Sequence, residues 1–316
     1  MGALLYNQHY SQDDEWEQYR NEHISNIIDK AKLWFDKDCS EDEILYGNAG
    51  YVYWLLRLLK EIEFKSTEAV KLQEKIMSIL DDVVLQLYNT GLKIGEDEDT
   101  LLFRFPRRDG KYYLGGAHGT IGILYMLLLA SEVTPTLSEN AEIMETIEHS
   151  CKFIVKLQLK SGNFPSSFGK SEDKLLHFCH GAPGAIPFLI KAYEIFDDEI
   201  YLKSAEKAGN LVWERGILLK GNWLWHGISG NSYALHSLYR ATKDPKWKYR
   251  AMKLAYSTCD EEIQQKVENY DDKGRLETGI PDTPYSLMEG MAGNTVMLIE
   301  FICQEKYDPK FPGYEI

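Results

Sequence analysis

The residues most able to do chemistry sit in two short turns, FCHGAPG at 178–184 and WHGISGN at 225–231. The first offers Cys179 and His180, the second His226, so a metal or thiol site could form between segments that are far apart in sequence. The residue before His226 is Trp225, whose indole nitrogen only donates and cannot serve as a metal ligand. Each side chain also has a plainer use. Cys179 could be a buried inert thiol, and His226 a histidine satisfied by hydrogen bonds at a helix start.

These turns belong to a recurring unit. A Gly-x-x-Gly pattern appears five times, as GNAG at 47–50, GTIG at 119–122, GAPG at 181–184, GISG at 227–230 and GMAG at 290–293. A stretch such as ILYMLLLASEV or AIPFLIKAYEIF follows each one, apolar around more than half of its circumference and therefore expected as a helix buried on most sides. Between them, 22–37, 138–159 and 198–219 carry apolar residues at three- and four-residue steps, which predicts helices buried on one side only. Alternating strand patterns and Asn-Gly hairpins are nearly absent. An inner helix alternating with an outer one, closed on itself, gives an all-α fold, the α/α toroid. Its glycine-rich helix starts would then collect at one end, where free backbone N–H groups and partial positive charge would favour an anion or thiolate.

Composition narrows the partners. With 35 basic and 49 acidic residues the formal charge is −14, and no basic stripe offsets it, so nucleic acid is not an expected partner. Cysteines at 39, 151, 179, 259 and 303 are odd in number, scattered and without a CxxC pair, which is the usage of a reducing compartment. No apolar run is long enough for a transmembrane segment, and MGALLYNQHY lacks the order of a signal peptide. The expected location is cytoplasmic, with any membrane association peripheral. Met1-Gly2 begins a myristoylation pattern that Tyr6 then breaks.

Taken in order, LYGNAGYVYWLL, YYLGGAHGTIGILY, LLHFCHGAPGAIPFLIKAYEIF, WLWHGISGNSYALHSLYRAT and PDTPYSLMEGMAGN resemble the turns of eukaryotic lanthionine synthetase C-like (LanC-like) proteins, as does the ending FPGYEI. The resemblance covers 1–316 as one toroid domain. It implies a ring of seven helical hairpins, of which this sequence shows five glycine-rich turns. GALLYNQHY resembles the middle of the second inner helix, so the chain is N-terminally incomplete relative to the family.

The activity implied is thioether formation, in which glutathione adds across the double bond of dehydroalanine or dehydrobutyrine in proteins or peptides. Family members hold Zn2+ with two cysteines and a histidine and leave the fourth position to the thiol. Cys179 matches the first cysteine and His226 the histidine, but Trp225 stands at the second cysteine. Zinc could be lost, held weakly by two ligands, or completed by a neighbour such as His180; this residue replaces a tyrosine of the bacterial enzymes in agreement with the eukaryotic CHG pattern and is also a candidate for the catalytic set. His118 resembles the proton-transfer histidine, a role suited to a group titrating near neutrality. Glu43 stands near an assisting acidic residue of bacterial relatives, or is a solvated carboxylate at a helix start.

Lys220 corresponds to a lysine that contacts glutathione, or is an exposed lysine near a helix end. Gly279 replaces an arginine that some relatives carry before PDTP, and Glu289 belongs to the signature without a defined role. The alternative reading is a non-catalytic member that binds glutathione, a peptide or a partner protein, with Trp225 plugging a degraded zinc site. A glycosidase reading, which needs two facing carboxylates, has only Glu43 and Glu289 near turns.

Overall fold

A computed structural model describes residues 14–38, 41–106, 110–268 and 283–316. The starting segment GALLYNQHY, Cys39 and the ETGIPD stretch with Gly279 lie outside the described residues. The described chain is nearly all helical: α1 Asp14–Asp38, α2 Asn48–Glu61, α3 Thr67–Ile94, α4 Thr120–Ser131, the short α5 Pro135–Ser138, α6 Ala141–Lys156, α7 Ala182–Phe196, α8 Glu199–Arg215, α9 Ile228–Thr242, α10 Pro245–Ser257, α11 Glu261–Glu268 and α12 Met291–Ile302. Extended pairing is confined to two isolated bridges among the described residues, Phe105 with Lys111 and Tyr113 with Ser167.

The two helix classes expected from the patterning are present, and they begin differently. Outer helices α3, α6, α8 and α10 start at Ser66, Asn140, Asp198 and Asp244, whose side chains accept backbone N–H groups of the first turn. Inner helices α2, α4, α7, α9 and α12 start at the first glycine of each Gly-x-x-Gly unit, with no side-chain cap. Their first N–H groups instead meet carbonyls seven residues back: Asn48 with Glu41, Thr120 with Tyr113, Ile228 with Gly221 and Met291 with Pro284. In α7 the Asn163 side chain serves the Ala182 N–H. The first N–H group of each inner helix is therefore already taken by the preceding chain, which narrows the expectation of free N–H groups at these starts.

That fold-back explains the second glycine of each unit. A Cβ on Gly50, Gly122, Gly184, Gly230 or Gly293 would lie within 2.2 Å of the carbonyl oxygen six residues earlier. The requirement is space for a crossing backbone.

Inner helices neighbour one another in the order α2, α4, α7, α9, α12, and α2, α4, α7 and α9 each pair with an outer helix. Every residue of α4 is buried, as is α9 from Ile228 to Leu238. Their glycine-rich starts form one rim, tied by main-chain bonds from Ile44 N–H to Ala117 O (3.2 Å), Cys179 N–H to Trp225 O (3.2 Å) and Trp225 N–H to Met288 O (3.1 Å). The C-terminal residues enter the interior. Phe311, Tyr314 and Glu315 are buried, Phe178 stacks on Phe311 at 3.5 Å between ring centres, and the Tyr314 hydroxyl donates to Gly184 O at 3.1 Å. No helix among the described residues is long and apolar enough to cross a membrane.

Candidate functional site

The rim gathers the chemistry-bearing residues. Cys179 lies two residues before the first glycine of its turn, and His226 lies directly before the first glycine of its own. The Cys179 N–H to Trp225 O bond fixes the two turns against each other, so the thiol and the imidazole are placed by backbone. Gly115 is needed on the other flank, since a Cβ there would meet the Cys179 carbonyl at 1.9 Å.

A third ligand-bearing side chain joins these two, and it is His177. Donor atoms of His177, Cys179 and His226 all lie within 4.8 Å of one another. Tetrahedral zinc, with bonds of about 2.0–2.3 Å, needs its ligand atoms roughly 3.5 Å apart, which small side-chain rotations supply from this starting point. The donor chemistry also fits. Burial, assisted by the Lys220 ammonium, pushes both His177 and His226 down to about 3, so each imidazole is neutral near pH 7 and has a lone pair to give. Cys179 is 1% exposed, and burial pushes its thiol well up while Lys220 pulls the other way. A cation at the cluster would reverse that balance. Glu289 Oε1 stands 3.9 Å from His226 Nδ1, the position of a carboxylate behind a metal-binding histidine.

His180, a catalytic candidate and one possible third ligand from the sequence, lies outside this cluster. Its ring lies 4.9 Å from Tyr113 and 6.1 Å from His118, and its Nδ1 is buried without a hydrogen-bond partner. Burial pushes it down to about 4, with smaller contributions from His118 and Lys220.

His118 pairs with Glu43, its Nδ1 lying 2.8 Å from Glu43 Oε2. Glu43 is buried, and its other oxygen accepts the Tyr46 N–H, so the reading of a solvated helix-start carboxylate is replaced by that of a fixed partner for His118. With Glu43 accepting at Nδ1, the proton His118 can exchange with a ligand is the one on Nε2. The Trp225 indole stands edge-on to His118 at 6.3 Å, with Phe105 4.9 Å from the same ring. Lys220 is exposed, yet its charge acts on His177, Cys179, His180 and His226 together, which places it beside the cluster. Of the two carboxylates of the glycosidase reading, Glu43 is taken up by His118, and Glu289 lies 3.9 Å from His226.

His177 and the position of Glu289 were not found from the sequence. The available signal for His177 was its two-residue spacing from Cys179 in a non-helical segment, which can put both side chains on one side.

Comparison with known proteins gives the family and the fold. The family model described as lanthionine synthetase C-like protein matches residues 2–316. A Danio rerio protein named glutathione S-transferase LANCL1 is 34% identical over 275 residues, which is 87% of this chain and 62% of the relative. The Arabidopsis thaliana LanC-like protein GCL1 is 32% identical over 279 residues, 87% of this chain and 58% of the relative. The chain therefore spans about three fifths of the length of these relatives. Among solved structures, nisin cyclase superposes with a TM-score of 0.55 at 14% identity, covering 95% of this chain and 86% of that one, a likeness of fold.

Proposed function

The chain belongs to the lanthionine synthetase C-like family, and on that premise we propose that it forms thioethers, adding the glutathione thiol to dehydroalanine or dehydrobutyrine residues of peptides or proteins. The observation that carries the reading is the meeting, on one rim, of a thiol-and-imidazole donor cluster with a histidine held by a buried carboxylate. The relative named as a glutathione S-transferase points to glutathione as the thiol.

A zinc ion at Cys179 and His226 would supply a lowered thiol pKa and a fixed position for the sulfur. The remaining steps belong to the chain's own groups. Lys220, free at the surface beside the cluster, would take a glutathione carboxylate. As the sulfur bonds to the β-carbon of the dehydroamino acid, the electron pair of the double bond moves to the α-carbon and its carbonyl. His118 would deliver a proton from Nε2 to that α-carbon, with Glu43 holding Nδ1 and stabilising the positive ring beforehand. Trp225 and Phe105 would limit water around His118. Free cysteines at 151, 179, 259 and 303 accord with a cytoplasmic setting, in which thiols stay reduced.

The test is incubation of zinc-supplemented protein with glutathione and a synthetic dehydroalanine peptide, read by mass spectrometry. The expected product is the glutathione thioether, absent for Cys179→Ala and strongly reduced for His118→Asn. A second reading, binding without catalysis, is favoured by the Trp225 indole standing against His118. Glutathione binding by calorimetry with no thioether from any metal-loaded sample would establish it in place of the first.

A further inference from the structure

Trp225 removes a thiolate that the family's donor set contains, and the structure puts another donor within reach. We propose that His177 is the third protein ligand, so that this chain holds its metal with two imidazoles and one thiolate. The inference rests on the metal-dependent reading above and adds a ligand which that reading does not supply.

Three observations carry it. The donor atoms of His177, Cys179 and His226 form the metal-competent group among the described residues, and His180 is outside it. The bracket that presents His177 and Cys179 is rigid: the His177 N–H is bonded to His180 O at 2.9 Å, and Phe178 between the two ligands is buried and stacked on Phe311. With Phe178 anchored inward, its two neighbours are left to face the cluster. Finally, the His177 and His226 rings meet edge to face at 5.4 Å between centres, close enough for one nitrogen of each to reach a shared ion.

The exchange changes the charge of the centre. Zinc with two thiolates and one imidazole is neutral, whereas zinc with one thiolate and two imidazoles keeps a net positive charge. Held by these residues, the ion would supply a more electropositive centre, which would lower the pKa of an incoming thiol further. Three protein ligands still leave the fourth position open, the arrangement of a catalytic zinc site.

The experiment measures zinc content and affinity, together with the spectrum of the cobalt(II)-substituted protein, for the unchanged chain and for His177→Ala, His177→Cys, Cys179→Ala and Trp225→Cys. Helix content by circular dichroism confirms that each variant is folded. The expected result is one zinc per chain, with a cobalt spectrum showing tetrahedral d–d bands and sulfur-to-cobalt charge transfer for a single thiolate.

His177→Ala should weaken zinc at least about 100-fold, since loss of even an outer-shell partner costs 10–100-fold. His177→Cys should restore binding and roughly double the charge-transfer intensity, as the second thiolate requires. A folded His177→Ala protein with unchanged zinc affinity, beside a Cys179→Ala protein that has lost it, overturns the role of His177 and leaves the metal reading intact. Zinc absent from the unchanged chain but present in Trp225→Cys overturns it as well, showing that His177 does not complete the set that Cys179 and His226 begin. No metal in any variant removes the metal-dependent reading itself.

Discussion

Glu43 and His118 are 75 positions apart in the chain, yet they meet at 2.8 Å with the carboxylate buried, an arrangement whose cost is repaid only if the histidine is used or its charge needed. His118→Asn should lower kcat for thioether formation by about 10²–10⁴-fold, the usual contribution of a positioned proton donor. Glu43→Gln keeps the shape and removes the charge. Its expected effect is a fall of about 10-fold or more in kcat with KM for glutathione unchanged, because Glu43 holds the proton donor and touches no substrate. An equal loss in KM would show that Glu43 shapes the binding site instead. A second residue-scale effect concerns His236, buried on α9 and pushed down to about 4 by desolvation and by Arg240. Its folded value lies below the ordinary 6.5, so the unfolded chain binds the extra proton between these limits. Its contribution is complete above about pH 6.5 and is lost as the pH falls to about 4, by about 2–3 kcal/mol. Thermal unfolding measured across that range should show the slope, and His236→Gln should reduce it by one group's share, leaving the part that His177, His180 and His226 contribute. At this scale the sequence disclosed residue types but not partners. Cys179, His226 and His118 could be named from their turns. The role of Glu289 behind His226 depends on how α12 docks, which no spacing within MEGMAG encodes.

The elements were legible because two periodicities coexist in the chain. Helices α4 and α9, apolar around more than half of their circumference, were expected in the interior, and the one-sided pattern of α6 and α8 at the periphery. What the pattern could not say was why two glycines start each inner helix. The structural answer is a close crossing of loop over helix, repeated at all five starts, and at four of them it also takes the first N–H group that a reading of isolated helix ends leaves free for an anion. Gly230 makes the point testable. Its added Cβ would lie 1.9 Å from Leu224 O, a backbone atom that cannot swing aside, so Gly230→Ala should destabilise the fold by at least about 2–3 kcal/mol despite the better helix propensity of alanine. A variant as stable as the unchanged chain in denaturant titration would show that the rim is looser than this crossing implies. Because the Leu224 segment leads directly into Trp225 and His226, the same substitution should also weaken metal uptake.

At the scale of the whole molecule, the last residues of the chain connect the parts that the helices build. Phe311 lies in the interior against Phe178 and, edge to face, against Tyr233 of α9. Tyr314 stacks on Tyr125 of α4 and donates to Gly184 O at the start of α7, while the Gly313 N–H reaches the Tyr53 hydroxyl of α2 at 3.2 Å. Glu315 accepts from Ser237 and is paired with Arg240, both on α9. Four inner helices thus share one tail, which gives them a common apolar and hydrogen-bonded centre in addition to their lateral packing. The sequence showed FPGYEI as a family ending, but its place inside the ring could not be read from a segment with no periodicity. This position links the tail to the candidate site, since Phe178, the residue between His177 and Cys179, rests on Phe311. Phe311→Ala should therefore cost about 3–5 kcal/mol as a core truncation and, in protein still folded, loosen the bracket that presents the two ligands. The check is paired measurement of unfolding free energy and zinc affinity, with Leu137→Ala, a buried side chain on α5, as a comparison of similar chemistry away from the rim. A fall in zinc affinity for Phe311→Ala alone would establish that the tail supports the site as well as the fold, whereas equal behaviour of the two variants would confine the tail to stability.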